Sequence, residues 1–172
     1  MVDSSLRLRP LRPDDEAAFG AAHDAMKADG FEFGLRYDLA PSWTSYLAEL
    51  ETWREGVDLS GAMVPSTFLV ADVKSEIVGR SSIRHRANEF IAREGGHIGY
   101  CVLPHHRRRG YATEILRQSV VIARSLGVDR VLVTCDEDNE ASAAVIERCG
   151  GVFESIVDST RGGPPKRRYW ID

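Results

Sequence analysis

The sequence predicts an α/β fold: a central mixed β-sheet flanked by helices on both faces, in the order β-α-α-β-β-β-α-β-α-β-β. Three observations predict it. A strand, a tight turn and a helix run without a break from His97 to Leu126. A compact apolar strand, Val131 to Cys135, follows that helix; strand–helix–strand implies a right-handed crossover and local parallel pairing. Strand pairs near residues 66–86 and 152–171 are each joined by a turn, which implies antiparallel hairpins elsewhere.

Taken in order, Leu6 to Leu11 alternates apolar and basic residues, as a half-buried strand does, and Arg12-Pro13-Asp14-Asp15 stops it. Asp14 or Asp15 is placed to cap a helix reaching about Lys27, ended by Gly30. Residues 31–41 are irregular and aromatic. Phe31, Phe33 and Tyr37 must bury themselves in the core or against a ligand. Ser42 caps a second helix with Trp43, Tyr46, Leu47, Leu50 and Trp53 at helical spacing, and residues 55–65 form a glycine-bearing connection. Residues 66–73 and 77–86 read as a hairpin, and 87–96 as a polar excursion. Ile98 to Leu103 is a strand that Pro104 closes. In the helix after it, Ala112, Leu116, Val120 and Ala123 share one stripe. Asn139 opens a further helix, stopped by Gly150-Gly151, and residues 152–157 and 167–171 are the last two strands.

At 172 residues, 43% hydrophobic and 28% charged, the chain suits one soluble globular domain. No apolar run approaches the roughly 18 residues of a membrane span. Residues 1–12 lack the apolar segment of a signal peptide, so a cytoplasmic location is expected. Cys101, Cys135 and Cys149 are odd in number and without metal-ligand spacing; free thiols and no metal are expected. The net charge of −4 argues against nucleic acid. Residues 1–65 hold 12 acidic and 6 basic residues (−6), and residues 66–172 hold 14 and 16 (+2). Such asymmetry suits a cationic amine on one side and a polyanion on the other; exposed acidic helices account for it equally.

The segment Arg107-Arg108-Arg109-Gly110-Tyr111-Ala112 reads R-x-x-G-x-A and sits at a helix N-terminus. The first amides of a helix lack partners and carry partial positive charge. Gly110 lets a ligand approach the backbone, and the arginines add charge, so the turn is suited to an anion such as phosphate. A strand-to-helix turn with solvated arginines is the plainer alternative.

With Val102 and Pro104 before it and Thr113 after it, this turn resembles the acyl-CoA motif of the GNAT N-acetyltransferase superfamily. The element order resembles that family over essentially the whole chain. The resemblance implies direct transfer of an acetyl group from acetyl-CoA to a primary amine of a small molecule or protein, with acetyl-CoA as co-substrate. It implies a single domain with residues 1–65 toward the acceptor and 66–172 toward the acyl-CoA. Tyr100, Cys101, Val102 and Leu103 would lie along the pantetheine arm. Arg107 through Thr113, with Tyr111 and Ala112 among them, would hold the pyrophosphate. Asn139 would bond the arm, with Ser142 at a position that is often small. Phe31, Phe33 and Tyr37 would help form the acceptor pocket.

The chemistry needs three things. The thioester oxygen needs a donor, and a backbone N–H near residues 101–103 is the family's usual supplier. The amine must lose a proton; Glu94, His97, Glu137 and Asp136 are the candidate bases. The leaving thiolate needs a proton or tolerance of its charge. The family often carries a tyrosine seven residues after the asparagine, but Ile146 stands there, which leaves Tyr111, Tyr169 or no acid at all. A non-catalytic CoA-binding sensor is therefore the competing function. Neither nucleic acid nor a membrane is expected as a partner, and a homodimer is the default assembly.

Overall fold

In a computed structural model of the chain, residues 5–59, 61 and 63–172 are described. Met1 to Ser4, Ser60 and Ala62 lie outside the described residues, and with them the first residues of the N-terminal segment read above and part of the 55–65 connection.

The strands form two antiparallel sheets. Strands β1 (Arg7–Arg9), β2 (Ser66–Val73), β3 (Glu76–Arg84) and β4 (Ile98–Val102) lie in the order β1-β2-β3-β4. Strands β5 (Val131–Asp136), β6 (Val152–Val157) and β7 (Lys166–Ile171) lie in the order β5-β7-β6. Where one mixed sheet is expected from sequence, the parallel join of β4 to β5 contracts to a point. His97 N donates to Leu132 O at 2.7 Å, and Leu132 N donates to His97 Nδ1 at 2.9 Å. Gly96 permits this approach: with φ +65°, a Cβ there would stand 3.1 Å from Leu132 O. Beyond the join the two strands part.

Helices α3 (Tyr111–Ser125) and α4 (Glu140–Arg148) pack against one another, α3 on the first sheet and α4 on β5 and β7. Leu116, Val120, Val131, Val133 and Ile146 fill the space between them, all buried. On the opposite side α1 (Glu16–Ala28) contacts β3 and α2 (Trp43–Glu55) contacts β2. Phe19, Phe33, Trp43, Tyr46 and Phe68 make an aromatic core there, with Phe19 5.4 Å from Phe33 and 5.6 Å from Tyr46 between ring centroids.

Two local expectations hold at atomic detail. Ser42 Oγ accepts from Ser45 N at 3.1 Å, and Asn139 Oδ1 accepts from Ser142 N at 3.0 Å. Asp15 does not cap α1 with its side chain. Its carboxylate instead accepts from Arg12 N and from Arg9, which is buried and also donates to Asp72 at 2.8 Å. Arg9 had been expected on the solvent side of an alternating strand; two carboxylates let it turn inward. The excursion before β4 is not wholly polar either. It contains a π-helical turn, Ile91–Gly95, that buries Ile91 and Glu94.

Candidate active site

The parted strands β4 and β5 leave one edge of β4 open. His97 O accepts from Arg84 N, Leu103 N donates to Val78 O, and Gly99 and Cys101 pair with Ser82 and Arg80 between them. Antiparallel strands alternate the direction of their amides. Residues 97, 99, 101 and 103 thus turn carbonyl or amide toward β3. Tyr100 and Val102 turn theirs toward β5. The Val102 carbonyl is taken by Arg107 Nε at 3.2 Å, which leaves the Tyr100 and Val102 N–H groups facing the gap.

The gap ends at the N-terminus of α3. Arg108 and Gly110 both adopt left-handed backbone, at φ 65° and 82°. Gly110 occupies the N-cap with no side chain to cap, and the first helical bond is Glu114 N to Gly110 O at 3.3 Å. The amides of Tyr111, Ala112 and Thr113 precede that bond. Left-handed residues alternating with ordinary ones curl main-chain N–H groups into an anion-binding hollow. A strained arginine at the mouth of such a hollow fits a functional turn. Arg108 and Arg109 are exposed beside it.

Arg107 does something different. Its Nη2 donates to Asp29 Oδ2 at 2.5 Å, so with the Val102 bond it ties the end of β4 to the end of α1. Tyr111 is buried among Ala71, Val78 and Ile115, and Thr113 is also buried. Tyr111 is therefore a core residue, which removes it as proton donor to a thiolate. Tyr169 is likewise in the core, donating to Glu147 at 3.2 Å.

One hydroxyl does reach across the gap. Tyr100 Oη and Ser142 Oγ are 3.0 Å apart, bridging β4 to the first turn of α4. Burial pushes the Tyr100 phenol up to about 12, so it stays protonated. Asn139 is exposed, and while its Oδ1 caps α4 its amide Nδ2 makes no bond among the described residues. Cys101, Cys135 and Cys149 are free, and burial pushes each thiol up.

The candidate bases fall differently. His97 is buried at the join of the sheets, and its Nδ1 lone pair accepts from Leu132 N. The neutral ring then carries its proton on Nε2, so neither nitrogen is free to take one. Burial first, and Arg84 nearby second, hold it below the ordinary histidine value. His97 is a clamp. Glu94 is 4% exposed and accepts from Thr160 N at 2.9 Å and from the Thr160 hydroxyl, which holds it below the usual carboxylate range. It straps the β6–β7 connection to the turn before β4 and walls a cavity of about 720 Å³ with Met63, Val64, Asn88, Phe90 and Thr160. Asp136 pairs with Lys166. Glu137 is half-buried just past β5; its N–H donates to Pro165 O at 2.8 Å, and its carboxylate, which feels the charge of Arg167, makes no hydrogen bond or salt bridge among the described residues.

On the acceptor side, Phe33 is fully buried and Tyr37 packs edge-on to Phe19 and Tyr46, so both belong to the core. Phe31 remains at the surface, its ring 5.0 Å from the guanidinium of Arg80. Arg80 is buried and donates to Phe33 O, Gly99 O and Glu32 O at 3.1–3.2 Å. Arg84, two positions on along the same face of β3, donates to Gly95 O and Gly96 O at 3.0 Å. Neither arginine was singled out from sequence. The available signal is two arginines at even spacing in a strand whose other members, after the leading Glu76, are apolar or small.

The family model described as an acetyltransferase (GNAT) domain matches residues 5–152. The chain belongs to the GNAT acetyltransferase family. Solved structures share the fold over nearly the whole chain. An acetyltransferase from Agrobacterium tumefaciens str. C58 is 22% identical with a TM-score of 0.65, covering 100% of this chain and 93% of that one. RimL, a ribosomal L7/L12 α-N-protein acetyltransferase solved with coenzyme A, is 18% identical with a TM-score of 0.69, covering 99% and 96%. The yncA acetyltransferase from Salmonella typhimurium, solved with acetyl-CoA, is 15% identical with a TM-score of 0.64, covering 98% and 94%. No curated protein matches the sequence. Among the described residues, no helix of this GNAT domain is long and apolar enough to cross a membrane, and no cluster of ligands could hold a metal ion.

Proposed function

We propose that this GNAT domain moves the acetyl group of acetyl-CoA directly onto a primary amine, with residues 66–172 holding the coenzyme and 1–65 contributing to the acceptor side. The observation that carries the reading is the open edge of β4 running into the uncapped N-terminus of α3. The main-chain amides at 111–113 suit a pyrophosphate, with Arg108 and Arg109 beside them. The Val102 and Tyr100 N–H groups suit, respectively, the developing thioester oxygen and the arm. Asn139 has a free amide group to give the arm while it caps α4.

The thiolate's proton falls to a group the sequence does not suggest, and the amine's to one of its four candidate bases. Tyr100 takes the part of the absent tyrosine at 146: its hydroxyl, held on Ser142, donates to the leaving thiolate. A thiol of ordinary pKa near 8.5 needs only modest help. Glu137, acting through water, accepts the proton of the amine. The structures of RimL with coenzyme A and of yncA with acetyl-CoA support the choice of coenzyme.

The test is release of free thiol from acetyl-CoA against a panel of amines, alongside thermal stabilisation by CoA. Ligand at 100 times its Kd stabilises by about 2.7 kcal/mol. Stabilisation with thiol release supports transfer. Stabilisation with no release for any amine supports the sensor, which Ile146 otherwise favours. Tyr100→Phe should lower kcat about tenfold with the KM for acetyl-CoA unchanged; an unchanged kcat sends the thiolate's proton to solvent instead.

A further inference from the structure

We propose that Arg84, flanked by Arg80 and Arg161, binds a carboxylate of the acceptor, so that the amine acetylated is an amino acid or a close relative and not a plain alkylamine. The inference rests on the transfer reading above and names its substrate class.

Arg9 is buried with two carboxylates, Asp15 and Asp72, at 2.6 and 2.8 Å. Arg80 and Arg84 have none among the described residues; their only hydrogen-bond partners are main-chain carbonyls. Arg80 is buried and Arg84 half-buried, and a guanidinium largely withdrawn from water without a counter-charge is costly. Burial first, and then the cations Arg80 and Arg161, lower the pKa of Arg84 to about 10. Among the described residues no carboxylate pairs with Arg80 or Arg84, and the acid that bears on Arg161 is Glu94. Glu94, the acid on this side, is committed to Thr160.

The position is right for an acceptor. Arg80, Ser82 and Arg84 lie on the face of β3 opposite Ser81 and Ile83, and Ser81 bonds Ser119 of α3. This is the face away from α3, and Arg80 lies under the α1–α2 segment, whose Glu32 and Phe33 carbonyls it holds. Arg84 sits toward the join of the two sheets, bonded to Gly95 and Gly96, and feels Arg161 from the β6–β7 connection. It thus lies on a floor between those two loops, next to β4 but on its β3 side. Its Nη1 serves both carbonyls, while Nε and Nη2 make no bond among the described residues. These two donors form the edge of the guanidinium that meets a carboxylate in a two-pronged fashion.

The experiment measures kcat/KM by thiol release for matched sets: α-amino acids, their carboxamides, the amines left by removing the carboxyl group, and aminoalkyl phosphates. An amino acid should exceed its amide and its decarboxylated amine by about tenfold or more, the worth of a charge-assisted hydrogen bond. Arg84→Met should erase that preference through KM, with CoA stabilisation retained as proof of folding. Arg161→Gln, at an exposed position, should weaken it in a chain whose fold is not at issue. Equal rates across the matched sets, or a preference that survives both substitutions, overturn the carboxylate assignment and leave the transferase standing. Preference for the phosphates overturns it in favour of a different anion. No release from any amine by CoA-binding protein overturns both readings.

Discussion

The two sides of β4 are built from different materials. Toward β5 the site is main chain: amides at Tyr100 and Val102 that face away from β3, a left-handed glycine and a helix start without a side-chain cap. Toward α1 and α2 it is side chain: Arg80 and Arg84 on carbonyls, Phe31 over Arg80, Glu94 strapped to Thr160. A main-chain site makes the same demands on any sequence that builds it, while a side-chain site can be rewritten by changing what lines it. The difference fits a molecule that keeps one coenzyme and specialises in its acceptor.

The heaviest blow to the main-chain side is Gly110→Val. A β-branched residue at φ 82° costs on the order of 1–3 kcal/mol, and the added carbons would fill the approach to the amides. CoA affinity should fall by about a hundredfold or more, roughly 2.8 kcal/mol. The measure is the CoA-dependent rise in melting temperature, which should vanish while the free protein still unfolds cooperatively. A rise of wild-type size would remove the α3 N-terminus as the anion site and the contrast with it.

That same division explains what was legible in the sequence. The turn at 107–112 could be read because glycine spacing and helix onset report backbone conformation directly. Ser42 and Asn139 could be read as caps for the same reason. Element order follows from apolar periodicity, although the contraction of the β4–β5 join to the His97–Leu132 pair does not, because it depends on Gly96 and the His97 ring. The acceptor side was misread where side chains had two outlets. Phe33 and Tyr37 went to the core, the commoner fate of aromatics, and Tyr111 did the same. Arg80 and Arg84 carry only the weak signal of even spacing in a mostly apolar strand and the Tyr100–Ser142 bridge carries none, since their partners come from other parts of the chain.

His97 stands at the boundary of the two sides, and its role can be separated from base catalysis. His97→Ala strands the buried Leu132 N–H, a loss of about 1–3 kcal/mol. His97→Asn offers an oxygen near the place of Nδ1 and should recover part of it. The pH dependence has a fixed sign. The folded ring titrates below its ordinary value of 6.5, so the folded state binds fewer protons than the unfolded. Its contribution is present above pH 6.5 and declines as pH falls from there toward the folded pKa. Chemical denaturation between pH 5 and 7.5 should show that decline in the wild type and a flatter curve in His97→Asn. A parallel pair of curves would detach His97 from the acid sensitivity of the fold.

The smallest effect is expected at Glu94, and it sharpens the acceptor side most. Glutamine keeps the oxygen that Thr160 N and its hydroxyl donate to, so Glu94→Gln should cost under about 1 kcal/mol of stability. If the carboxylate is a strap, kcat at saturating acceptor stays within about twofold of wild type; a general base replaced by an amide would lose about a hundredfold. Glu94→Ala frees the β6–β7 connection and should raise the acceptor KM while leaving the KM for acetyl-CoA alone, because the coenzyme turn lies at the other end of β4. Acid should mimic this. The folded carboxylate titrates below its ordinary value of 4.5, so its contribution is complete above that pH and fades as pH drops through the folded value. Hydrogen exchange at the Thr160 amide measures the strap directly: protection in the wild type and in Glu94→Gln, and none in Glu94→Ala. Equal protection in all three would mean that other contacts hold the connection in place and would return Glu94 to the list of candidate bases.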